Sequence, residues 1–401
     1  LINLACYVLP VAVWISCGFD FRAARPAWRW LAFLAFVCVS LESEGLAYSA
    51  LRVHVDAPAL MWSTLAMGVL RSRLPARRSL AVAFAALAAL TKQTFIPVWL
   101  LALPFGSGLA DERPLDRRLL MYTAFSAVGA VIVLRLFAPV NNLISDLVML
   151  QTKYPFVDRP LASLILAFSD FVRQFWPLAA VVTFGILVDA SDALRRNSIL
   201  MIAAFVVFPI ALVHRAKVGG DVNAFAPVLY WLLAASLFGL LRAISQEETG
   251  AHFPARVAKI ILVLTVAMGS LECLPVAMHF RLIQARRILP LNPQESAYRY
   301  LRQHADGYYF PFNPLAAVMA EGRLYHTASS LADFTLQGHP LGPHDLQAGL
   351  PPVFSGVAIH ESNDQDREAL LHALDLRAQP VRDPAMPGWL IYVTGSDRRV
   401  R

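Results

Sequence analysis

Apolar runs of roughly 15–20 residues recur along the first 280 positions of this chain, separated by short links rich in arginine. A helix of that length, at 1.5 Å rise per residue, matches the ~30 Å hydrocarbon layer of a bilayer. A large soluble core would account for high hydrophobicity but not for a repeating length. The composition agrees: 57% of the 401 residues are hydrophobic and 16% are charged. An ordinary soluble domain is nearer half apolar and a quarter charged.

The net charge of +7 is carried by arginines that lie between the apolar runs. That is the pattern of membrane orientation and not of a phosphate-tracking groove, so no nucleic-acid partner is predicted. Cys6, Cys17, Cys38 and Cys273 fall inside or at the edge of apolar runs and form no C-x-x-C pair. They read as small buried hydrophobes, with no disulfide framework and no metal-ligand spacing.

The runs predict about ten spans, at 1–17, 30–47, 57–70, 79–91, 95–106, 119–137, 175–190, 198–213, 225–241 and 260–278. Several are shorter than ~20 residues and require tilt or flanking extension. The pair 79–91 and 95–106 also reads as one long helix kinked at Pro97.

Lysines and arginines in alternate loops divide unevenly. Arg22, Arg25, Arg29, Arg71, Arg73, Arg77, Arg78, Arg113, Arg117, Arg118, Arg195, Arg196, Arg242, Arg256 and Lys259 make fifteen on one side. Arg52, Lys92, Lys153, Arg159, Arg173, Arg215 and Lys217 make seven on the other. The positive-inside rule places the first set in the cytoplasm. Leu1 and the tail after residue 278 then lie outside, and 79–91 and 95–106 count as two spans. The chain opens at Leu1 inside an apolar run, without a signal-peptide pattern. It reads as N-terminally truncated, with an odd number of spans missing if the true N-terminus is cytoplasmic.

The outer segment 138–174 is long and mixed, and 141–150 has the spacing of a helix lying in the interface. From about Leu289 the character changes, as Gly, Pro, His and Asp become common. A helix over Gln294–His304, short strands over Tyr308–Pro311 and Trp389–Thr394, and a second helix over Asp366–Leu376 are predicted. The fold class is thus an all-α polytopic membrane bundle over 1–288, with a small α/β extracytoplasmic domain over 289–401.

The outer loops hold the residues able to do chemistry. Glu42 and Glu44 end the second span, Asp56 opens the third just past Arg52 and His54, and Lys92 and Gln93 follow the fourth. Charges at membrane depth are costly unless paired or wet. Taken singly, these residues suit a structural reading: Glu42 or Glu44 paired with Arg52, and Lys92 snorkelling to headgroups. As a constellation at one depth they suit a polar cavity for a lipid-linked anion, with a carboxylate base beside it. Arg215, Lys217, Gly219, Gly220, Asp221 and Asn223 form a second cluster, suited to an anion or sugar or to a plain turn. Glu272 and Arg135 read as structural pairs or wet-cavity residues. His279, His304, His326, His339, His344, His360 and His372 show no i, i+4 spacing, and no metal is assigned.

In order and topology these residues resemble the GT-C type polyprenyl-phosphate-dependent glycosyltransferases, including protein mannosyltransferase-like and aminoarabinose-transferase-like bacterial proteins. The resemblance is carried by Asp56 opening an apolar span within Arg52–Leu70, and by the Leu90-Thr91-Lys92 step that ends the next helix. It continues in Lys217-Val-Gly-Gly-Asp-Val-Asn223, in Tyr309-Phe-Pro-Phe-Asn-Pro314, and in Gly322, Arg323 and Asp333. It implies a multi-pass protein of the bacterial inner membrane. The protein would move a sugar, with inversion, from a polyprenyl-phosphate donor to a hydroxyl of a glycan, lipid or protein acceptor. Asp56 and Glu44 are then the catalytic candidates, with Lys92 near the donor phosphate. Gln93, Arg52, His54, Arg215, Lys217, Asp221 and Asn223 are candidates for substrate binding. No cofactor is implied. The family's principal catalytic Asp lies in the first outer loop, expected here before Leu1. Two other classes compete: a transporter or flippase, which would show paired halves and a midplane site, and a polysaccharide ligase or polymerase, which would need a large outer loop with Arg and His.

Overall fold

The computed structural model describes residues 2–17, 24–51, 55–72, 74–110, 115–137, 154–188, 198–218, 220–249, 252–286, 293–305, 307–328, 349–361 and 379–393, with isolated positions between 331 and 376. It divides into two compact units, 1–149 with 156–279 and 150–155 with 280–401. The division falls at His279, within the helix His252–Arg286.

Among its described residues the first unit is built of helices. Its helices are α1 (Ile2–Cys17), α2 (Pro26–Glu42), α3 (Glu44–Leu51), α4 (Asp56–Leu70), α5 (Arg77–Thr91), α6 (Leu103–Ala110), α7 (Arg117–Phe137), α8 (Pro160–Leu187), α9 (Ser198–Ala216), α10 (Ala226–Ser245) and α11 (His252–Arg286). Among the described residues, five segments are long and apolar enough to cross a membrane: 117–136, 160–187, 199–216, 222–245 and 252–271. The bent pair α2 and α3 makes a sixth if counted as one span. At 15 residues each, α4 and α5 are about 22 Å long, short of the full hydrocarbon thickness.

Four sequence expectations change in detail. The run 30–47 is not one rod: Ser43 is extended, and α2 meets α3 at 103°. The break between 79–91 and 95–106 is at Lys92, whose backbone is extended (φ −150°, ψ 119°), and not at Pro97. A 3-10 turn over Gln93–Phe95 follows, and the missing amide of Pro97 is absorbed by a π-helical stretch over Val98–Ala102. The helix expected from 175 starts at Pro160, where the fixed proline φ suits a first helical position. Finally, the helix containing 260–278 runs from His252 to Arg286. The interfacial helix proposed for 141–150 lies outside the described residues.

A helix apolar on every side must be surrounded. The segment 222–245 satisfies this, since nearly every residue from Ala226 to Ile244 is buried among its neighbours. Tyr230 packs edge-on to Tyr7 (5.0 Å) and Phe36 (5.2 Å) and donates its hydroxyl to the Tyr7 carbonyl at 2.9 Å. Trp231 donates to Thr64 Oγ1 at 3.2 Å. Close helix contacts use glycine: a Cβ at Gly185 would lie 2.6 Å from the Ser236 carbonyl oxygen, and one at Gly106 would lie 2.6 Å from Ile199 Cα. Small residues let backbones approach where lipid supplies no hydrophobic drive for helix association.

The second unit holds α12 (Pro293–Gln303), α13 (Pro314–Glu321) and a three-stranded sheet, β1 (Tyr308–Tyr309), β2 (Gly356–His360) and β3 (Trp389–Val393). β2 lies in the centre, parallel to β1 (Tyr308↔Gly356) and antiparallel to β3 (His360↔Trp389). Trp389 is buried and donates to Ser296 Oγ at 3.0 Å, tying β3 to α12. Gly322 closes α13 in the left-handed conformation (φ 70°). The helix near 294–304 and both expected strands are present, whereas β2 and α13 had no expectation. The helix expected over 366–376 lies mostly outside the described residues. Within it, the Leu374 amide donates to the Leu370 carbonyl at 3.0 Å.

Candidate functional site

Three helix ends and one helix-breaking residue meet at one end of the first unit. Asp56 is the first residue of α4 and is fully buried. Its Oδ1 receives the ammonium of Lys92, which stands where α5 stops. Its Oδ2 receives the side-chain amide of Asn223, from the 3-10 turn over Val222–Phe225 that precedes α10. The Ser49 hydroxyl of α3 approaches the same oxygen at 3.4 Å. An isolated buried carboxylate is prohibitively costly, and this one is paired and hydrogen-bonded, as burial requires. The extended backbone at Lys92 turns the chain at the end of α5, so that its side chain reaches the N-terminus of α4. The pair is asymmetric: the Lys92 side chain keeps 17% of its surface exposed and Asp56 none.

A second, wetter set of charges sits beside the first. Glu44 pairs with Arg173 at 3.1 Å, and Arg173 reaches Asp170 at 4.0 Å. Asp170 holds Arg215 at 2.6 Å, and Arg215 also donates to the Gly220 carbonyl at 2.7 Å. Acid and base thus alternate from α3 through α8 to the end of α9. One turn beyond Asp170, Gln174 is buried with neither side-chain atom hydrogen-bonded. Its amide lies against Gly45, where a Cβ would collide with it and would stand 2.7 Å from the Val222 carbonyl oxygen. Ser43 Oγ and Thr94 Oγ1 are likewise buried without a hydrogen-bond partner.

The turn after α9 joins the two sets. The Asp221 carboxylate accepts the Val222 amide at 2.8 Å and so caps the 3-10 turn that delivers Asn223. Gly220 is needed here for proximity, because a Cβ would strike the end of α9 at the His214 and Arg215 backbone. Lys217 bridges to Phe156 and lies 5.8 Å over its ring. Desolvation by burial lowers the Lys217 pKa below its ordinary value. His214, in the last turn of α9, has Lys92, Asp56, Asp221 and Lys217 as electrostatic neighbours.

Of the residues singled out from the sequence, Asp56, Lys92 and Asn223 share one hydrogen-bonded centre. Glu44 and Arg215 belong to the outer ion chain, and Asp221 and Lys217 to the turn between. Gln93 opens the 3-10 turn beside Lys92 and is half-buried. Arg52 and His54 lie outside the described residues. Sequence reasoning missed Ser49, Asp170, Gln174 and His214. Asp170 and Gln174 fell in a segment read as loop; as an i, i+4 pair on a helix they would have shared a face. Among the described residues there is no group of three or more His, Cys, Asp or Glu able to hold a metal ion.

The arrangement can hold an anion against a partly open ammonium whose other side is fixed by a buried carboxylate. It also offers polar atoms in want of partners nearby. Comparison with known proteins adds nothing to this geometry: no family model, no curated protein and no solved structure matches the chain.

Proposed function

We propose that this chain is a membrane glycosyltransferase that moves a sugar from a polyprenyl-phosphate donor to an acceptor hydroxyl, with inversion. In this reading the site faces the outer side of a bacterial inner membrane, and the second unit is extracytoplasmic. The shorter helices α1, α4, α5 and 96–110 count as spans beside the five longer ones and the bent pair α2 and α3, making ten. The carrying observation is the convergence of Asp56, Lys92 and Asn223, which are 36 and 167 residues distant from Asp56 in the chain. Each lies in a segment through which the chain resembles GT-C enzymes.

The chemistry follows from charge. When the bond between the anomeric carbon and the phosphate oxygen breaks, the leaving polyprenyl phosphate gains negative charge. A cation held in place opposite that oxygen stabilises the transition state more than the ground state. Lys92 is such a cation: Asp56 and, through it, Asn223 fix the ammonium, and its exposed part is left for phosphate. Asp56 is therefore a positioning residue for Lys92, since both its oxygens are occupied and it has no exposed surface. Arg215 and Lys217 extend the positive field toward the donor.

The test is release and transfer of labelled sugar from a polyprenyl-phosphate sugar by the membrane-reconstituted protein, for wild type, Lys92→Ala and Asp56→Asn. Removing one preorganised charge at a developing oxyanion costs on the order of 10²–10³ in kcat. Unchanged turnover in both variants would sink these assignments.

A further inference from the structure

At the far end of α2 from α3 and its Ser49, a second group of charges gathers. Lys259 of α11 lies 5.4 Å over the Trp28 ring of α2. Farther along, a Cβ on Gly269 of α11 would stand 2.5 Å from Cys38 Cβ of α2. The two contacts are the same number of residues apart on each helix, so α2 and α11 run side by side in one direction. Their first cations therefore come to one level. Arg25 stands one turn ahead of Trp28, and its carbonyl accepts the Trp28 amide at 3.0 Å. Arg256 stands one turn ahead of Lys259, and His252 one turn ahead of Arg256. At i, i+4 and i+7 these three share a face of α11. Lys259 is engaged by Glu247, in the 3-10 turn that follows α10. Hydrogen bonding to Lys259 lowers the Glu247 pKa below its ordinary value, and the charges of Lys259, His252 and Arg25 add to that. Arg25 and Arg256 are exposed, and neither is paired with a described carboxylate.

The surface around these cations is apolar. Trp30 and Phe253 are exposed beside them. Leu34 on α2 and Ile260 and Leu264 on α11 continue the exposed apolar surface along the segment able to cross a membrane. Cations and aromatic rings at headgroup level, with aliphatic side chains beneath, match a phospholipid from phosphate to acyl chain. We propose that the start of α2 and α11 is a binding site for an anionic phospholipid. Its headgroup phosphate is taken by the Arg25 and Arg256 guanidiniums, and its acyl chains lie along Leu34, Ile260 and Leu264. A guanidinium presents paired donors to phosphate oxygens, and both arginines have theirs unspent. Lys259, fixed between Trp28 and Glu247, holds the two helices together behind the headgroup. The positive-inside rule assigns this end to the cytoplasmic leaflet, where anionic lipids attract basic segments. The site is independent of the reaction assigned above and lies about 25 Å of helix away from the Ser43 bend, the length of α2.

The test titrates the full chain, solubilised in a neutral detergent, and counts bound ligand by native mass spectrometry. The ligands are phosphatidylglycerol, phosphatidylcholine with the same acyl chains, and glycerol 3-phosphate. Wild type should bind phosphatidylglycerol well above phosphatidylcholine. Each arginine changed to Gln should weaken phosphatidylglycerol about fivefold, and Arg25→Gln with Arg256→Gln about 25-fold, near the phosphatidylcholine level. Arg117→Gln with Arg118→Gln, the same charge change at the start of α7, should leave binding intact. Equal binding of the two lipids by wild type overturns the proposal, as does a Gln pair that binds like wild type. An equal loss in the Arg117 and Arg118 pair also overturns it, because net charge and not a site would then be responsible. Glycerol 3-phosphate bound as tightly as phosphatidylglycerol marks a site for a soluble anion and overturns the lipid assignment. Thermal melts accompany each variant. If the Gln pair unfolds early, Arg25→Lys with Arg256→Lys decides: retained phosphatidylglycerol preference supports the site, and its loss in a folded protein refutes it.

Discussion

The buried pair of Asp56 and Lys92 makes an asymmetric prediction. Replacing Lys92 by Met removes the ammonium from the Asp56 carboxylate, which has no exposed surface and keeps the neutral donors Asn223 and Ser49. Breaking a buried pair from that side costs about 3–5 kcal/mol. Replacing Asp56 by Asn leaves an ammonium that still reaches solvent through 17% of its side-chain surface. The amide also keeps an oxygen for Asn223, so the expected loss is about 1–3 kcal/mol. If the two costs added, the double variant would lose about 4–8 kcal/mol. It should instead lose only about 1–2 kcal/mol, because replacing both charges of a buried pair is often nearly neutral. The coupling energy is then at least about 2 kcal/mol, well above the few tenths expected for independent sites. Equilibrium unfolding of the solubilised protein, followed by helical circular dichroism, reads all four members of the cycle. Additive losses, or a larger loss in Asp56→Asn than in Lys92→Met, would refute the reasoning.

Glycine contacts separate cleanly by position. Gly185→Leu drives atoms into the Ser236 backbone and should lower stability by roughly 1–3 kcal/mol or more in thermal melts. Gly129→Ala, on α7 with nothing near its Cβ, should be neutral or raise stability by about 0.4–1 kcal/mol. Asp116 caps α7 through the Arg118 and Leu119 amides, both at 3.1 Å, and pairs with Arg78 at 2.9 Å. Partial burial alone would raise its pKa, but these bonds together outweigh it and hold the carboxyl below its ordinary 3.8. Its contribution is therefore complete above that value and is lost as pH falls through the lower folded value. Asp116→Asn should keep the cap, so its stability deficit relative to wild type should shrink on acidification below pH 3.8 in an unfolding series. Glu44→Gln removes an exposed pair and should change stability by less than about 1 kcal/mol. If Glu44 were the acceptor's base, transfer would fall by about 10²-fold or more despite that; the expected outcome is near-normal transfer.

How much of this was legible beforehand depended on whether the signal was local. Run lengths place α7, α9, α10 and α11 because a span is read from composition within a single window. They cannot see that the run 30–47 breaks at Ser43, since the bend arises from packing that brings α3 toward Ser49's partner Asp56. Lys92 was singled out for its position between two apolar runs, and its extended backbone is what makes that position an end. The pairing of Asp56 with Asn223, across 167 residues, has no local trace. In the second unit, β2 escaped notice although Gly356-Val357-Ala358-Ile359-His360 is apolar. A five-residue run buried on both faces is too short to separate from a helical turn by periodicity.

The same distinction explains which site residues were missed. A charged residue inside an apolar stretch stands out, so Asp56 and Lys92 are conspicuous. His214 does not, because it ends an apolar helix beside Arg215, where a polar residue is ordinary. Asp56, Asp170, Glu44 and Asp221 each have a partner in the structure. The site thus divides into a sealed half and an open half. Asp56 and Asn223 spend their hydrogen bonds on Lys92 and on the helix ends, which makes them structural supports for a charge. Lys92, with 17% of its side-chain surface exposed, is the group with capacity left over. That division places the effects of substitution differently. Changes in the sealed half should lower stability and activity together. An Asp56→Asn protein that melts like wild type yet transfers no sugar would show that the division is drawn in the wrong place.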